Sequence, residues 1–365
     1  MNSTRGWSIV VVVASALAGC GDNLSVTADA AGDAAPDAGR TQIERGQYVM
    51  NTLGACTFCH TPLNPDGSRN NARLFAGVTC SDPVPFLDVA PTVDGVGCLN
   101  TRNLTNDPTG LMNATDAQIK DAIRNGTRTD GKSIVPVMPY WVFHNMSDDD
   151  LDAVVAYLRT VPGVDHTIPP NEPPWDDINN DNTAAAICAG SEVSGKCRAT
   201  PIDAADIPLP VGADTARAMN GRYLAGMAGL CIDCHTPNFP SANPPDDAPL
   251  FPTPVDISKA WSGGRIFTKE QLGLFDPSYP MTVKTRNLTP DATGLMGWTL
   301  PQLEDAIARG KDRDGDAVCA ATHGSMISTY AALDPDDLED IARYLAALPP
   351  VQNDTGADCK GPPVP

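Results

Sequence analysis

Two pentapeptides of one form, Cys56-Thr57-Phe58-Cys59-His60 and Cys231-Ile232-Asp233-Cys234-His235, each sit inside the same longer frame, and that duplicated frame constrains the fold of this 365-residue chain more than any other feature. Gly46-Gln47-Tyr48 begins ten residues ahead of Cys56, and Gly221-Arg222-Tyr223 begins ten ahead of Cys231. Thr61-Pro62 and Thr236-Pro237 follow the two histidines. Thr101-Arg102-Asn103-Leu104-Thr105 returns as Thr285-Arg286-Asn287-Leu288-Thr289, and each is followed by a Thr-Gly-Leu-Met step, at 109–112 and 293–296. A T-x-x-Q pair then opens a helix in each copy, Thr115 with Gln118 and Thr299 with Gln302, the pattern in which hydroxyl and side-chain amide satisfy free donors of the first turn. Gly126 and Gly310 close those helices as left-handed caps. The frame is therefore a duplicated domain of roughly 120–140 residues, large enough to bury its own core.

C-x-x-C-H is the spacing at which two thiols attach to a haem as thioethers while the adjacent histidine binds its iron. Two copies predict two covalently bound c-type haems, held by Cys56, Cys59 and His60 and by Cys231, Cys234 and His235. The second axial ligand decides the chemistry. Met138, braced in Pro136-Val137-Met138-Pro139-Tyr140, and Met326, in the matching place, are the expected partners; a thioether favours the ferrous iron and closes the position to other ligands. Met112 and Met296 are rivals because they also repeat, although their place just ahead of a capped helix reads as packing. His144 and His323 stand close enough to the ligand loops to compete, but neither has a counterpart in the other copy, and an ordinary hydrogen-bonded histidine is the expectation for both. Sequence shows no partner for His166.

The N-terminus reads as an export signal. Arg5 precedes an apolar run from Ile9 to Leu17, too short to span a membrane, that ends in Leu17-Ala18-Gly19-Cys20 and looks like a bacterial lipobox. That resemblance implies cleavage after residue 19 and a lipid anchor on Cys20. Residues 21–40, rich in Ala, Asp, Gly and Pro without apolar periodicity, read as a disordered tether. Of 11 cysteines, six then remain beyond the lipid and haem sites: Cys80, Cys98, Cys188, Cys197, Cys319 and Cys359. An even remainder in an exported chain argues for disulfides. The sequence-local pairing, Cys80 with Cys98, Cys188 with Cys197 and Cys319 with Cys359, is expected among fifteen possible. The last would close a loop of about 40 residues, worth up to ~4 kcal/mol by chain entropy. Free buried thiols or a zinc site are the alternatives, the latter without any further C-x-x-C to support it.

Each copy ends in an amphipathic helix. Leu151, Val154, Val155 and Leu158 follow a Ser147 cap, and Leu338, Ile341, Leu345 and Leu348 follow Asp334-Pro335, at i, i+3 or i+4 and i+7 spacing. A further helix precedes each attachment motif, about 41–53 and 214–228, where Gly46 and Gly221 leave room for a terminal-helix aromatic, Tyr157 or Tyr344, to approach. Taken together these residues resemble the class I cytochrome c domain in tandem, and look most like the dihaem and trihaem cytochrome subunits that pass electrons from membrane-bound dehydrogenases. The resemblance implies an all-α fold of two helical domains, each wrapped around its haem, with His60 and His235 proximal, Met138 and Met326 distal, and Arg102 and Arg286 facing haem propionates. Two departures stand out: Ile327 follows Met326 where Pro139 follows Met138, and the first copy carries a cysteine-bearing insertion at 76–100.

The expected organisation is a signal peptide at 1–19, a lipidated tether at 20–40, cytochrome domains at 41–162 and 214–350 joined by a Pro-rich, packed linker at 163–213, and a tail at 351–365. After cleavage the chain would carry 24 basic against 45 acidic side chains, a formal −21. That charge disfavours nucleic acid or bare anionic membrane as partners and favours redox proteins with a basic face, met at the periplasmic side of the cell envelope. An electron carrier with both irons capped is the leading expectation. A dihaem peroxidase, which needs one open iron and acid–base groups above it, is the alternative. No nicotinamide or flavin phosphate loop and no catalytic triad is present.

Overall fold

The computed structural model describes residues 39–85, 99–135, 137–171, 200–212, 214–237, 255–268, 282–318 and 326–356. Thr41 caps α1 (Gln42–Tyr48) in a reciprocal box with Glu44, and the chain runs on through a π-helical turn, Val49–Leu53, into α2 (Cys56–His60). Then come α3 (Asp116–Asn125), the short α4 (Tyr140–Phe143) and α5 (Asp148–Leu158). The second half presents α6 (Thr215–Gly226), α7 (Cys231–Cys234), α8 (Leu300–Arg309) and α9 (Pro335–Ala346) in the same order. The architecture is helical, with one departure from the all-α expectation: a two-stranded antiparallel ladder, β1 (Ile266–Thr268) with β2 (Thr282–Lys284).

The caps form as expected. Thr115 and Gln118 exchange backbone bonds of 2.9 and 3.2 Å, Thr299 and Gln302 make the same box, and Gly126 and Gly310 close the two helices at φ 64° and 60°. Ser147 accepts from the Asp150 amide at 3.2 Å to begin α5.

The α1–α5 and α6–α9 crossings are the frame of each half. At Gly46 a Cβ would run into the Ala153 carbonyl and the Tyr157 Cβ, and at Gly221 into the backbone of Asp340 and Ile341. These glycines admit the helix backbone itself; an approaching aromatic ring is not what they accommodate, although the stem of Tyr157 stands beside Gly46. Each crossing is clamped by an ion pair to a buried carboxylate, Arg45 with Asp150 through two bonds of 2.7 and 2.8 Å and the partly exposed Arg217 with Asp340. Asp150 and Asp340 are almost fully buried, so each carboxylate needs its arginine.

The halves share one hydrophobic core, which takes in Tyr48, Leu53 and Phe143 from the first and Tyr223, Leu224 and Tyr344 from the second. Two tyrosines bind it reciprocally. The Tyr48 hydroxyl accepts from the Asp334 amide at 3.2 Å and donates to Asp337 at 2.8 Å. The Tyr223 hydroxyl accepts from the Ser147 amide at 3.1 Å and donates to Asp150 at 2.6 Å. Each Gly-x-Tyr tyrosine thus caps the first turn of the other half's last helix. Residues 200–212 run across both halves as a strap: Ile202 pairs with the Trp141 carbonyl and Asn145, while the Pro208 and Ala347 carbonyls accept from Tyr344 and Val211.

Candidate haem sites

In the first half the π-turn and Gly54 lead into Ala55, held at φ 48°, and this kink starts α2 with Cys56. Cys56 and Cys59 are half-buried on the one-turn helix, where desolvation pushes both up to about 12. His60 Nδ1 lies 2.8 Å from the Arg102 carbonyl. A carbonyl only accepts, so Nδ1 carries the proton and Nε2 keeps its lone pair. Burial lowers the His60 pKa from its ordinary value, against the opposing effect of the Arg102 carbonyl.

The loop that supplies this carbonyl is built by the Thr-Arg-Asn-Leu-Thr segment. The Asn103 side chain accepts from the Thr105 amide and hydroxyl at 3.0 and 2.7 Å and donates to Thr109 at 3.0 Å. Gly77, at φ 80°, donates to the His60 carbonyl at 2.9 Å, and a Cβ there would lie 2.6 Å from the Thr101 carbonyl. Thr61 accepts from the Phe75 amide at 3.0 Å, and Phe75 is itself left-handed at φ 60°.

The second half repeats this geometry. Cys231 and Cys234, pushed by burial to about 11 and 12, flank the turn of α7. His235 Nδ1 lies 2.8 Å from the Arg286 carbonyl. Gly263 donates to the His235 carbonyl at 2.8 Å. Thr236 accepts from the amide of Trp261, at φ 67°, and the Asn287 side chain accepts from the Thr289 amide at 2.9 Å. The extended chain after each closing helix lies along the same loop: Val164 donates to Thr105 and Val351 to Thr289, each at 3.0 Å.

Each half therefore offers an imidazole held through Nδ1 by an arginine carbonyl, with two cysteines on the adjoining turn. At Gly54 a Cβ would lie 3.3 Å from the Val49 carbonyl and in ordinary contact, at 3.4 Å, with Cys56 Sγ and the Phe143 ring. This donor set fits a covalently held haem on both sides.

Other expected site residues fall out as follows. Met138 and Met326 are half-buried against the core. Met112 and Met296 are 51% and 55% exposed, so the packing expected of them is not what they do. His144 makes an ordinary hydrogen bond to the Arg124 carbonyl at 3.1 Å. His323 lies outside the described residues. His166 acquires partners that sequence did not reveal, the Ala76 carbonyl at 2.8 Å and the Arg73 guanidinium at 2.9 Å. Arg102 and Arg286 address the histidines through their carbonyls. The Arg102 guanidinium is half-buried and lowered to about 10 by burial and by Arg128, while that of Arg286 donates to the Gly356 carbonyl. Cys80 is disulfide-bonded; Cys20, Cys98, Cys188, Cys197, Cys319 and Cys359 lie outside the described residues. Phe75 and Trp261 were missed because nothing in their residue type announces a left-handed backbone.

A family model described as cytochrome c oxidase, cbb3-type, subunit III matches residues 41–158. This segment is a cytochrome c domain. The whole chain is 27% identical over 323 residues to the cytochrome c subunit of a quinone alcohol dehydrogenase from Gluconacetobacter polyoxogenes, covering 88% of this chain and 59% of that protein. It is 26% identical over 310 residues to the cytochrome c subunit of gluconate 2-dehydrogenase from Pantoea cypripedii, 84% of this chain and 59% of that one. A diheme cytochrome c-type protein of Cereibacter sphaeroides is 28% identical over 137 residues, 37% of this chain and 38% of its own. The chain thus spans about three-fifths of the two dehydrogenase cytochromes it matches. The cytochrome c domain includes Cys56, Cys59 and His60, and the likeness to the alcohol dehydrogenase cytochrome extends over most of the remaining chain.

Proposed function

We propose that the chain is a tandem dihaem c-type cytochrome, an electron carrier that serves as the cytochrome subunit of an envelope dehydrogenase, with both irons held by His and Met. The observation that carries this reading is the repetition of one histidine geometry: Nδ1 sits 2.8 Å from an arginine carbonyl at His60 and again at His235. Fixing the tautomer and the ring plane by a bond on the far nitrogen is what a metal-binding imidazole requires.

In this reading Cys56 and Cys59, and Cys231 and Cys234, anchor the two haems, and His60 and His235 bind iron through Nε2. Met138 and Met326, partly buried against the core, would supply the second thioether ligand to each iron. Each bound haem supplies a one-electron ferric/ferrous couple. The protein's own part is to hold these groups still: the Asn103 and Asn287 loops orient the imidazoles, and the shared core keeps the halves in register. A Cβ on Gly229, two residues before Cys231, would lie 3.6 Å from the Leu53 carbonyl, three before Cys56, so the segments entering the two motifs run close to each other. The acidic surface suits a basic patch on the donor or acceptor, and the lipid on Cys20 would keep the carrier at the membrane on the periplasmic side.

Absorption and EPR spectra of the purified holoprotein, oxidised and reduced, test the proposal. Two low-spin His/Met centres are expected. A high-spin or bis-His centre in the unaltered protein would overturn the ligand assignment and bring the dihaem peroxidase forward, with peroxide turnover on pre-reduced protein as its direct assay.

A further inference from the structure

The two attachment turns share a backbone but not an electrostatic environment. Backbone bonds establish which residues correspond. Val78 donates to Thr101 Oγ1 and accepts from the Thr101 amide, both at 2.8 Å. Arg265 does the same with Thr285, at 3.0 and 2.9 Å. Arg265 therefore occupies the place of Val78, and within the motifs Asp233 occupies the place of Phe58. At the first turn the pair is apolar, a buried Val78 and an exposed Phe58. At the second it is charged. The Arg265 guanidinium, 1% exposed, donates to the Asp233 carbonyl at 2.6 Å and closely to its carboxylate, and stands 5.2 Å from the Phe267 ring centre.

We propose that the buried Arg265–Asp233 pair sets the reduction potential of the second haem separately from the first, with Arg265 cancelling a carboxylate that would otherwise hold that site oxidised. The inference rests on the dihaem reading above. An oxidised haem carries one more positive charge than a reduced one. An uncompensated carboxylate on the attachment turn favours the oxidised form, and an uncompensated guanidinium favours the reduced form. Arg265 is 1% and Asp233 11% exposed, so solvent and salt screen these charges less than charges on the surface. The pair is near-neutral as a unit, yet removing one member leaves the other buried and bare. No comparable charge lies in Val78 or Phe58.

The test is a redox titration of the full dihaem protein followed in the haem absorption bands. Asp233→Asn should raise one of the two steps by about a tenfold change in the oxidised-to-reduced ratio, ~59 mV for one electron, and leave the other in place. Arg265→Met should lower that same step, and Arg265→Lys, which keeps the charge, should stay near the unaltered protein. Phe58→Asp, on the exposed face of the first turn, should lower only the other step, by less because solvent screens it. A purely structural role would weaken folding in both Asp233→Asn and Arg265→Met without moving one step in opposite directions. The proposal fails if neither step moves, if both steps move together, or if the two substitutions act with the same sign. Should Arg265→Met not fold, Asp233→Asn, nearly isosteric, decides alone: an unmoved step overturns the proposal. A haem count below two overturns the dihaem reading and this inference with it, whereas two haems with immobile steps overturn this inference only.

Discussion

Arg102 and Arg286 are singled out by sequence for their guanidinium groups, and the fold gives their backbone carbonyls a role as well. Their repetition was visible, but a backbone carbonyl carries no residue-type signature, so only the folded Asn103 and Asn287 loops reveal that it is the carbonyl that holds the imidazole. Cysteine and histidine of the two C-x-x-C-H turns stand out in the sequence because that spacing is the one covalent haem attachment requires. Repetition alone was a weaker guide: Met112 and Met296 repeat as faithfully as Met138 and Met326 yet are exposed to solvent. On the ligand assignment, Met138→Ala and Met326→Ala should each abolish one of two low-spin EPR signals and leave the other intact. Asp82 gives a pH prediction. Burial alone would raise its carboxyl, but the Thr79 amide at 2.7 Å, Arg73 at 2.7 Å and the Thr79 hydroxyl hold it below the ordinary value. A lowered folded pKa contributes stability above the unfolded pKa of about 3.9 that disappears as pH falls through the folded value. Asp82→Asn should therefore lower stability by about 1 kcal/mol near neutral pH, with the difference from the unaltered protein shrinking below about pH 3.9, as read from thermal melts at a series of pH values.

At the level of elements, the helices were readable because their signals are local. Caps, apolar stripes and closing glycines act within one or two turns, and Thr115, Thr299, Gly126 and Gly310 behave as their positions required. Thr115→Ala and Thr299→Ala should each cost about 1 kcal/mol in denaturant unfolding, the ordinary value of an N-cap. The helix crossings are less forgiving. A Cβ at Gly46 or Gly221 cannot be relieved by rotating a side chain, because it meets the main chain of α5 or α9. Gly46→Ala and Gly221→Ala should lower the melting temperature far more than the cap substitutions, in the ~1–3 kcal/mol range of overpacking or above. The β1–β2 ladder escaped notice because three residues on each side carry no usable periodicity, and so short a pair persists only through the surrounding fold. Phe75 and Trp261 escaped for a related reason. Holding a bulky residue at positive φ costs on the order of 1–3 kcal/mol, and what offsets it is tertiary: the Thr61 and Thr236 hydroxyls and the edge-on packing of Phe75 on Tyr157 and Trp261 on Tyr344.

In the whole molecule, the feature that organises the halves is the exchange of two tyrosines across a shared core. Tyr48→Phe with Tyr223→Phe would leave the Asp334 and Ser147 amides and the Asp337 and Asp150 carboxylates without those hydroxyls. The double variant should unfold at lower temperature, by a few kcal/mol for two buried hydrogen-bonding groups removed, and in calorimetry its transition should broaden or separate into two as the halves lose their coupling. The single variants should each show part of the loss. Sequence by itself determined the duplication, the two covalent attachment motifs, the helix boundaries and the candidate ligands, because each of these is set by spacing along the chain. The tertiary structure alone decided which carbonyl fixes each histidine, that Gly-x-Tyr reaches into the opposite half, and that, among the described residues, a buried ion pair stands at the second attachment turn where Val78 and Phe58 stand at the first. Those features depend on groups far apart in sequence being brought together, and their energies come from desolvation and close packing, which exist only once the chain has folded.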